Sequence, residues 1–294
     1  MKADVLTISS PSPAPIRIVQ ISDPHLFEDT TMRLLGLNTE DSFRSVIDLI
    51  RHEQNCDPIA PPSATSHEAT PARPPVQLIL ATGDIAQSPS QAVYQRFLTT
   101  MHTLTSPCVW LEGNHDQLTL FQQSTPTLAA NSNVIELGQD WVLIMLNSAK
   151  ENEIGGTFSD LELAWLRDQL AAYPQRHIIV ALHHHPLPVG SSWIDDSGLS
   201  NASDFWDIVH AAPQVRLVLH GHSHQEFSAQ HGALSVLGCP STCVQFKPLS
   251  EKFTVDLKPP GYRWLDLYAD GRVDTAVSRV AVLPAGIDVH SHGY

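Results

Sequence analysis

Five short blocks of polar residues in this 294-residue chain carry side chains of the types that bind metal ions, and each block comes within a few residues after an apolar run. Carboxylate, imidazole and amide groups together suit transition metals such as iron, manganese and zinc. About eight such ligands in one cleft are enough for two ions that share a bridging carboxylate. The blocks are Asp23-Pro24-His25, Gly83-Asp84, Gly113-Asn114-His115-Asp116, His183-His184-His185-Pro186 and Gly221-His222-Ser223-His224.

The apolar runs in front of the blocks are typical of buried parallel strands, because they are short and rich in Val, Ile and Leu. In open α/β sheets, ligands bind beyond the carboxyl ends of the strands. If the five runs share one core, the five polar blocks meet at one edge of it. The runs are Ile16–Ile21, Val76–Leu80, Val109–Leu111, Ile178–Leu182 and Val215–Leu219.

Helical patterns alternate with these runs, which predicts an α/β architecture with crossover connections. A capping box at Ser159-Asp160-Leu161-Glu162 opens a helix that reaches about Ala172. Apolar residues at helical spacing predict further helices, and alternation around a turn predicts a strand pair. These helices are Asp41–Arg51, Ser90–Met101 and Ser203–Ala211, and the strands are Val134–Leu137 and Trp141–Asn147.

We expect a single domain over residues 16–285, with an N-terminal extension at 1–15 and a loose tail at 286–294. Residues 52–75 are rich in Pro, Ala, Ser and Thr and are predicted to form a surface-loop insertion. Residues 226–285 are predicted to hold short strands and turns. A second Asp-x-His triplet at Asp288-Val289-His290 follows no apolar strand, so we assign it to chance.

The composition disfavours several classes of partner. A net charge of −14 lacks the basic footprint that nucleic-acid binding requires. No apolar stretch approaches the ~20 residues of a membrane span, and Met1 to Pro15 contains no signal peptide, so we expect a cytoplasmic protein that binds no membrane. The four cysteines show no Cys-x-x-Cys spacing and are predicted to be reduced thiols. The sequence does not indicate the oligomeric state.

The residue types at the strand ends suit hydrolysis of a phosphate ester. Two metal ions about 3.5–4 Å apart can clamp the phosphate and acidify a hydroxide between them. Asp84 is the natural bridging carboxylate, because the glycine before it allows close backbone approach. Asn114 can offer a metal only its carbonyl oxygen, whereas His115 can donate a proton. Each block could instead cap a following helix, but the ordered set of five favours a metal centre.

From about Ile16 to His224, the five blocks resemble the calcineurin-like metallophosphoesterase superfamily. A closer resemblance is to bacterial class III 3′,5′-cyclic-AMP phosphodiesterases. It rests on the run from His183 to Gly190, on Trp193, Asp195, Leu199, Asn201 and Ala202, and on the run from Pro240 to Pro248. The resemblance implies a four-layer α-β-β-α sandwich with two mixed sheets and a dinuclear metal site at the carboxyl ends of the strands.

The resemblance also implies roles for individual residues. His115 would contact the phosphate and assist the leaving oxygen, and Asp116 would orient His115. One metal would be held by Asp23, His25, Asp84 and His224, and the other by Asp84, Asn114, His183 and His222. Substrate contacts are expected from Asn114, His115, His184, His224 and Asn201. Trp193 could stack on a nucleobase, although packing is the more common role of a tryptophan.

The resemblance implies hydrolysis of 3′,5′-cyclic AMP to 5′-AMP by attack of a hydroxide that bridges two metal ions. The substrate is then a small cyclic nucleotide. Two alternatives stay open, because such a centre recognises only the phosphate. One is an enzyme for another phosphodiester or phosphomonoester, such as a glycerophosphodiester, nucleotide sugar or lipid. The other is a non-catalytic module that binds a nucleotide, and the complete ligand set argues against it.

Overall fold

Two large sheets with helices outside them make up the fold in the computed structural model, which describes residues 5–9, 15–55, 74–104, 106–124 and 133–293. The strands are β1 (Val5–Ile8), β2 (Ile16–Ile21), β3 (Arg33–Leu34), β4 (Leu37–Asn38), β5 (Val76–Ala81), β6 (Cys108–Trp110), β7 (Val134–Leu137), β8 (Trp141–Met145), β9 (His177–Ala181), β10 (Val215–His220), β11 (Phe227–His231), β12 (Leu234–Gly238), β13 (Gln245–Phe246), β14 (Val255–Asp256), β15 (Gly261–Leu267) and β16 (Val273–Arg279). The helices are α1 (Thr39–Asn55), α2 (Gln91–Met101), α3 (Leu118–Ser124), α4 (Asp160–Ala172), α5 (Ser192–Asp195) and α6 (Ala202–His210).

Both large sheets are mixed. The seven-stranded sheet has the order β1-β7-β8-β9-β10-β12-β11, in which β8, β9, β10 and β12 are parallel. The five-stranded sheet has the order β16-β15-β2-β5-β6. In it β2, β5 and β6 are parallel, β15 is antiparallel to β2, and β16 is antiparallel to β15. The predicted strands therefore belong to two sheets, with β2, β5 and β6 in one and β9 and β10 in the other.

Strand alternation divides the apolar side chains into three stacked cores. Along β2, Ile16 and Ile18 lie in the core between the two sheets, whereas Val19 and Ile21 lie in the core shared with α1, α2 and α3. On the outer face of the seven-stranded sheet, Val180 belongs to a third core shared with α4 and α6. The result is the predicted four-layer sandwich, and burial on both faces explains why these strands have continuous apolar sequences.

Helix starts agree with the capping residues in the sequence. The Ser90 hydroxyl accepts the N–H of Val93 at 3.3 Å in front of α2, and the Ser159 hydroxyl accepts the N–H of Glu162 at 3.1 Å in front of α4. The capping box is only half formed, however. The Glu162 carboxylate accepts the N–H of Asn147 at 3.0 Å and so connects α4 to the end of β8.

The ends of the chain are more ordered than the sequence predicts. Val5–Ile8, within the expected extension, is an edge strand in parallel pairing with β7. The expected loose tail is held at its start, where the N–H of Asp288 donates to the carbonyl of Leu35 at 2.8 Å. Of the predicted insertion, residues 52–55 continue α1, and residues 56–73 lie outside the described residues.

The described region from 226 to 285 contains the short strands that the sequence predicts and no helix. Cys239 and Cys243 are buried free thiols, and Cys108 is also free. Within the described ranges, no helix combines the length and the apolar character needed to cross a lipid bilayer.

Candidate metal centre

The predicted ligands converge because the carboxyl ends of β2, β5, β6, β9 and β10 lie at one edge of the sandwich. Except for Asn114, the predicted ligands fall into four overlapping groups, which also include His115 and His184. Within each group, all ligand atoms lie within 4.8 Å of one another. Asn114 joins them through its Oδ1, which lies 3.2 Å from His183 Nε2. The groups are Asp23, His25 and His224; His25, Asp84 and His115; Asp23, Asp84 and His183; and His183, His184 and His222.

Left-handed backbone occurs at five of the predicted ligands. Such a conformation is uncommon outside glycine and costs about 1–3 kcal/mol, so neighbouring structure must hold it in place. Here the turns hold one another, since the N–H of Asp23 donates to Gly83 O and the N–H of His25 donates to Asp84 O, both at 3.0 Å. The residues are Asp23 (φ 52°), His25 (47°), Asp84 (51°), His222 (61°) and His224 (51°).

Two glycines allow the turns to approach each other. A Cβ atom at Gly83 would lie 2.5 Å from His183 Nδ1, and the backbone of Gly83 is also left-handed, with φ 91°. A Cβ atom at Gly113 would lie 2.2 Å from Asp84 Oδ1. Any larger residue at either position would force the ligands apart.

His25 and His224 present hydrogen-bond acceptors to each other. The Nδ1 atom of His25 lies 2.7 Å from Gln87 Oε1, and that of His224 lies 2.8 Å from Val244 O. Because both oxygens accept, each ring carries its proton on Nδ1 and a lone pair on Nε2. The two Nε2 atoms are 3.0 Å apart, and a cation beside them would remove the repulsion between their lone pairs.

Burial keeps these imidazoles neutral, which is the form that binds metals. It lowers the pKa of His25 to about 4, although Asp84 opposes the shift. Burial also lowers the pKa values of His222 and His224 well below the usual range, and neighbouring imidazoles add to the effect. For Asp23, burial disfavours the charged form and raises the pKa of the carboxyl group. Its Oδ2 atom has no hydrogen-bond partner among the described residues. A cation would satisfy that oxygen.

Asp84 lies between the two halves of the cluster. Its Oδ2 is 3.7 Å from His25 Nε2 on one side and 3.3 Å from His183 Nε2 on the other. Burial opposes ionisation of both groups, but Asp84 and His183 stabilise each other's charge, so the pKa of Asp84 is held well below its usual range and the pKa of His183 is raised to about 9. His183 donates from Nδ1 to Thr82 O at 2.7 Å, so its Nε2 also faces inward. This position is the one that a bridging carboxylate requires.

His115 lies half-buried beside the cluster, with its ring edge-on to His25 at 5.0 Å between ring centroids. Its N–H donates to Asp84 Oδ1 at 2.9 Å. Asp116 makes four hydrogen bonds to the surrounding turns. Its carboxylate accepts the N–H groups of Gly113 and Ala86 at 3.0 Å and of Ile85 at 3.1 Å, and the Tyr94 hydroxyl at 3.1 Å. Orientation of the His115 ring by Asp116 stays a prediction.

Two predicted substrate contacts have their polar side-chain atoms hydrogen-bonded within the protein. The buried His184 ring has both nitrogens occupied, by the Ser148 hydroxyl at 2.8 Å and by Ile154 O at 3.0 Å, and it lies in one group with His183 and His222. The Asn201 side chain accepts the N–H of Phe158 and donates to the carbonyl of the same residue, both at 2.9 Å. Contact of either side chain with a substrate stays a prediction.

An aromatic cluster packs against the His224 ring. The Phe246 ring stacks on His224 with 4.3 Å between centroids, and Trp193 packs edge-on against Phe246 at 5.1 Å and Phe253 at 5.0 Å. Packing is therefore the observed role of Trp193. Sequence reasoning missed the residues that fix the ligand rings, including Gln87 and Thr82, because they bind through a lone amide or a backbone carbonyl and form no motif.

Comparison with known proteins gives the same family over the same residues. Residues 16–226 match the model of the calcineurin-like phosphoesterase family. The chain is 38% identical over 281 residues to the 3′,5′-cyclic adenosine monophosphate phosphodiesterase CpdA of Pseudomonas aeruginosa, with 96% of each chain covered. It is also 38% identical over 291 residues to the protein of the same name from Escherichia coli K12, with 99% of each covered.

A solved structure with a similar fold is a dimetal phosphatase from Danio rerio. The TM-score is 0.58, and the match covers 91% of this chain and 100% of the other. Sequence identity is 14%, so this similarity concerns the fold alone.

Proposed function

The chain belongs to the calcineurin-like phosphoesterase family, and on this basis we propose that it is a metal-dependent phosphodiesterase that hydrolyses 3′,5′-cyclic AMP to 5′-AMP. The reaction class is supported most directly by the position of Asp84 between two groups of buried imidazoles. The substrate is supported by similarity over nearly the whole chain to two cyclic AMP phosphodiesterases.

The residues fit a pair of transition-metal ions. Bound cations would lie against the facing Nε2 atoms of His25 and His224 and against the buried Oδ2 of Asp23, which has no hydrogen-bond partner among the described residues. Iron, manganese or zinc would neutralise the charge on the phosphoryl oxygens and increase the acidity of the attacking water. Asp23, His25, Asp84 and His224 would hold one ion, and Asp84, Asn114, His183 and His222 would hold the other.

His115 would act on the leaving group. In an in-line displacement, a water oxygen bonds to phosphorus as the bond to the 3′ oxygen breaks, and that oxygen needs a proton. The His115 ring lies beside the cluster and is half-buried, so it can reach both substrate and solvent. A positioned general acid contributes about 10²–10⁴-fold to the rate.

No covalent intermediate on a cysteine is expected. Burial raises the pKa of both Cys239 and Cys243 to about 12, so neither is a thiolate at neutral pH. We expect water to be the nucleophile, so a single turnover in ¹⁸O-water should place one label on the phosphate of 5′-AMP.

The substrate is tested with purified, metal-loaded protein and a panel of natural diesters that includes cyclic AMP, cyclic GMP, a glycerophosphodiester and a nucleotide sugar. Turnover of cyclic AMP to 5′-AMP is expected, with modest selectivity for the base. Turnover of another diester without activity on cyclic AMP would contradict the substrate and leave the metallophosphoesterase chemistry standing. The identity of the metal and the cytoplasmic location stay predictions.

A further inference from the structure

Two turns that carry predicted ligands are connected by reciprocal hydrogen bonds, because a carboxylate from each turn accepts backbone N–H groups of the other. The turn after β5 carries Asp84, whose Oδ1 accepts the N–H of His115 at 2.9 Å. The turn after β6 carries Asp116, whose oxygens accept the N–H groups of Ile85 at 3.1 Å and Ala86 at 3.0 Å. The position of each turn therefore depends on the carboxylate of the other.

Tyr94 completes this arrangement from α2. Its hydroxyl donates to Asp116 Oδ1 at 3.1 Å and accepts the N–H of Gln117 at 2.9 Å. The side chain is fully buried, and its ring lies edge-on to Phe121 at 5.1 Å between centroids. Because the Tyr94 hydroxyl is buried, water competes little for its two hydrogen bonds.

We infer that Tyr94 is a positioning residue of the metal centre. Through Asp116, Tyr94 holds Asp84 and Asn114 at the separation needed to bind two ions. Tyr94 acts through Asp116 and belongs to none of the groups of candidate ligands. The inference rests on the proposed metal-dependent function. It assigns a role in metal binding to a residue outside the five polar blocks.

The loss of one hydroxyl is enough to disturb this geometry. In the Tyr94→Phe variant, the N–H of Gln117 loses its acceptor and the Asp116 carboxylate loses one of its four donors. The turn that carries Asn114 can then shift relative to Asp84. Loss of a group bonded directly to a ligand typically reduces metal affinity or activity by about 10–100-fold, and for Tyr94, which is one contact further away, we expect the lower end of that range.

Tyr262 provides a matched control. It is also buried, lies in the same core between the five-stranded sheet and its helices, and donates its hydroxyl to a carboxylate, Glu53 Oε2, at 2.7 Å. The Tyr262→Phe variant therefore removes the same kind of hydrogen bond without touching either turn. A general effect of lost stability would appear in both variants.

The experiment measures Mn²⁺ binding to the metal-free full chain by equilibrium dialysis, with free Mn²⁺ quantified by electron paramagnetic resonance. We expect Y94F to bind at least one of two Mn²⁺ ions about tenfold more weakly than the wild type. We expect Y262F to keep wild-type affinities within about twofold, while thermal unfolding shows that both variants are folded. In Mn²⁺-saturated protein, kcat of Y94F should fall more than KM changes.

Wild-type affinities for both ions in Y94F would overturn the inference, as would an equal loss of affinity in Y262F. If Y94F does not fold, Asp116→Asn replaces it, and unchanged Mn²⁺ binding in that variant would overturn the inference in turn. Binding is measured without substrate. A wild-type protein that does not hydrolyse cyclic AMP would therefore contradict only the proposed substrate.

Discussion

The Nε2 atoms of His25 and His224 lie 3.0 Å apart, and the hydrogen bonds of both rings place the protons on the opposite nitrogens. Two acceptors at this distance repel each other unless a cation lies between or beside them. The carbonyl of Val244 and the amide of Gln87 thus prepare the two rings for metal binding before any ion arrives.

Metal removal should destabilise the fold. Without ions, the facing imidazoles and the carboxylates of Asp23 and Asp84 stay buried with only part of their desolvation cost offset by hydrogen bonds to the protein. An ion present at 100 times its dissociation constant adds ~2.7 kcal/mol of stability for each site. Calorimetry of chelator-treated protein during Mn²⁺ titration should therefore show Tm rising with metal concentration. A Tm that does not respond to Mn²⁺ would contradict the metal centre.

Substitution of Asp84 should weaken both metal sites. Asp84 lies within 3.7 Å of His25 Nε2 and 3.3 Å of His183 Nε2, so Asp84→Ala removes a ligand from each half of the cluster. Elemental analysis should find less than one ion per chain. His222→Ala, in which only one half is altered, should keep about one ion. Full occupancy in Asp84→Ala would exclude the bridging role.

His115→Ala should lose turnover and keep its metal. The His115 N–H that binds Asp84 belongs to the backbone, so truncation of the ring leaves this contact in place. We expect kcat on cyclic AMP to fall by about 10²–10⁴-fold, the usual contribution of a general acid. His290→Ala, an exposed histidine in the tail, serves as the control and should retain wild-type kcat. Unchanged kcat in His115→Ala would remove this residue from the mechanism.

The strands and the polar blocks at their ends could be predicted because both signals are local. The apolar run Ile16–Ile21 matches β2, and Asp23 follows two residues after its end. The division of the strands between two sheets could not be predicted, since an apolar run does not identify its pairing partner. Val5–Ile8 was missed because four residues with a half-exposed alternating pattern give little signal.

The hydrogen-bond partners of Asp116 and His184 could not be predicted for a different reason. Asp116 binds backbone N–H groups, which every residue carries, so no residue type marks its partners. His184 lies beside a predicted ligand in sequence but faces Ser148 and Ile154, and its direction depends on the turn after β9 rather than on strand alternation. Residue type identified the metal centre, and only the fold shows which neighbours support it.

Glu162→Gln should stabilise the protein more at neutral than at acidic pH. Burial raises the pKa of Glu162, so the folded state binds its proton more tightly than the unfolded state does. The stability associated with this group is therefore fully present below the unfolded-state pKa and is lost as pH rises through the folded-state pKa. Glutamine can still accept the N–H of Asn147 and does not ionise.

This pH effect is measured by urea unfolding of the metal-free protein at about pH 4.5 and about pH 7. The unfolding free energy of Glu162→Gln minus that of the wild type should be larger at about pH 7 than at about pH 4.5. The shift should stay below ~1 kcal/mol, because the first turn of α4 favours a negative charge and offsets part of the burial cost. Glu151→Gln, at an exposed position, is the control. A difference independent of pH would show that the carboxylate of Glu162 ionises equally well in both states.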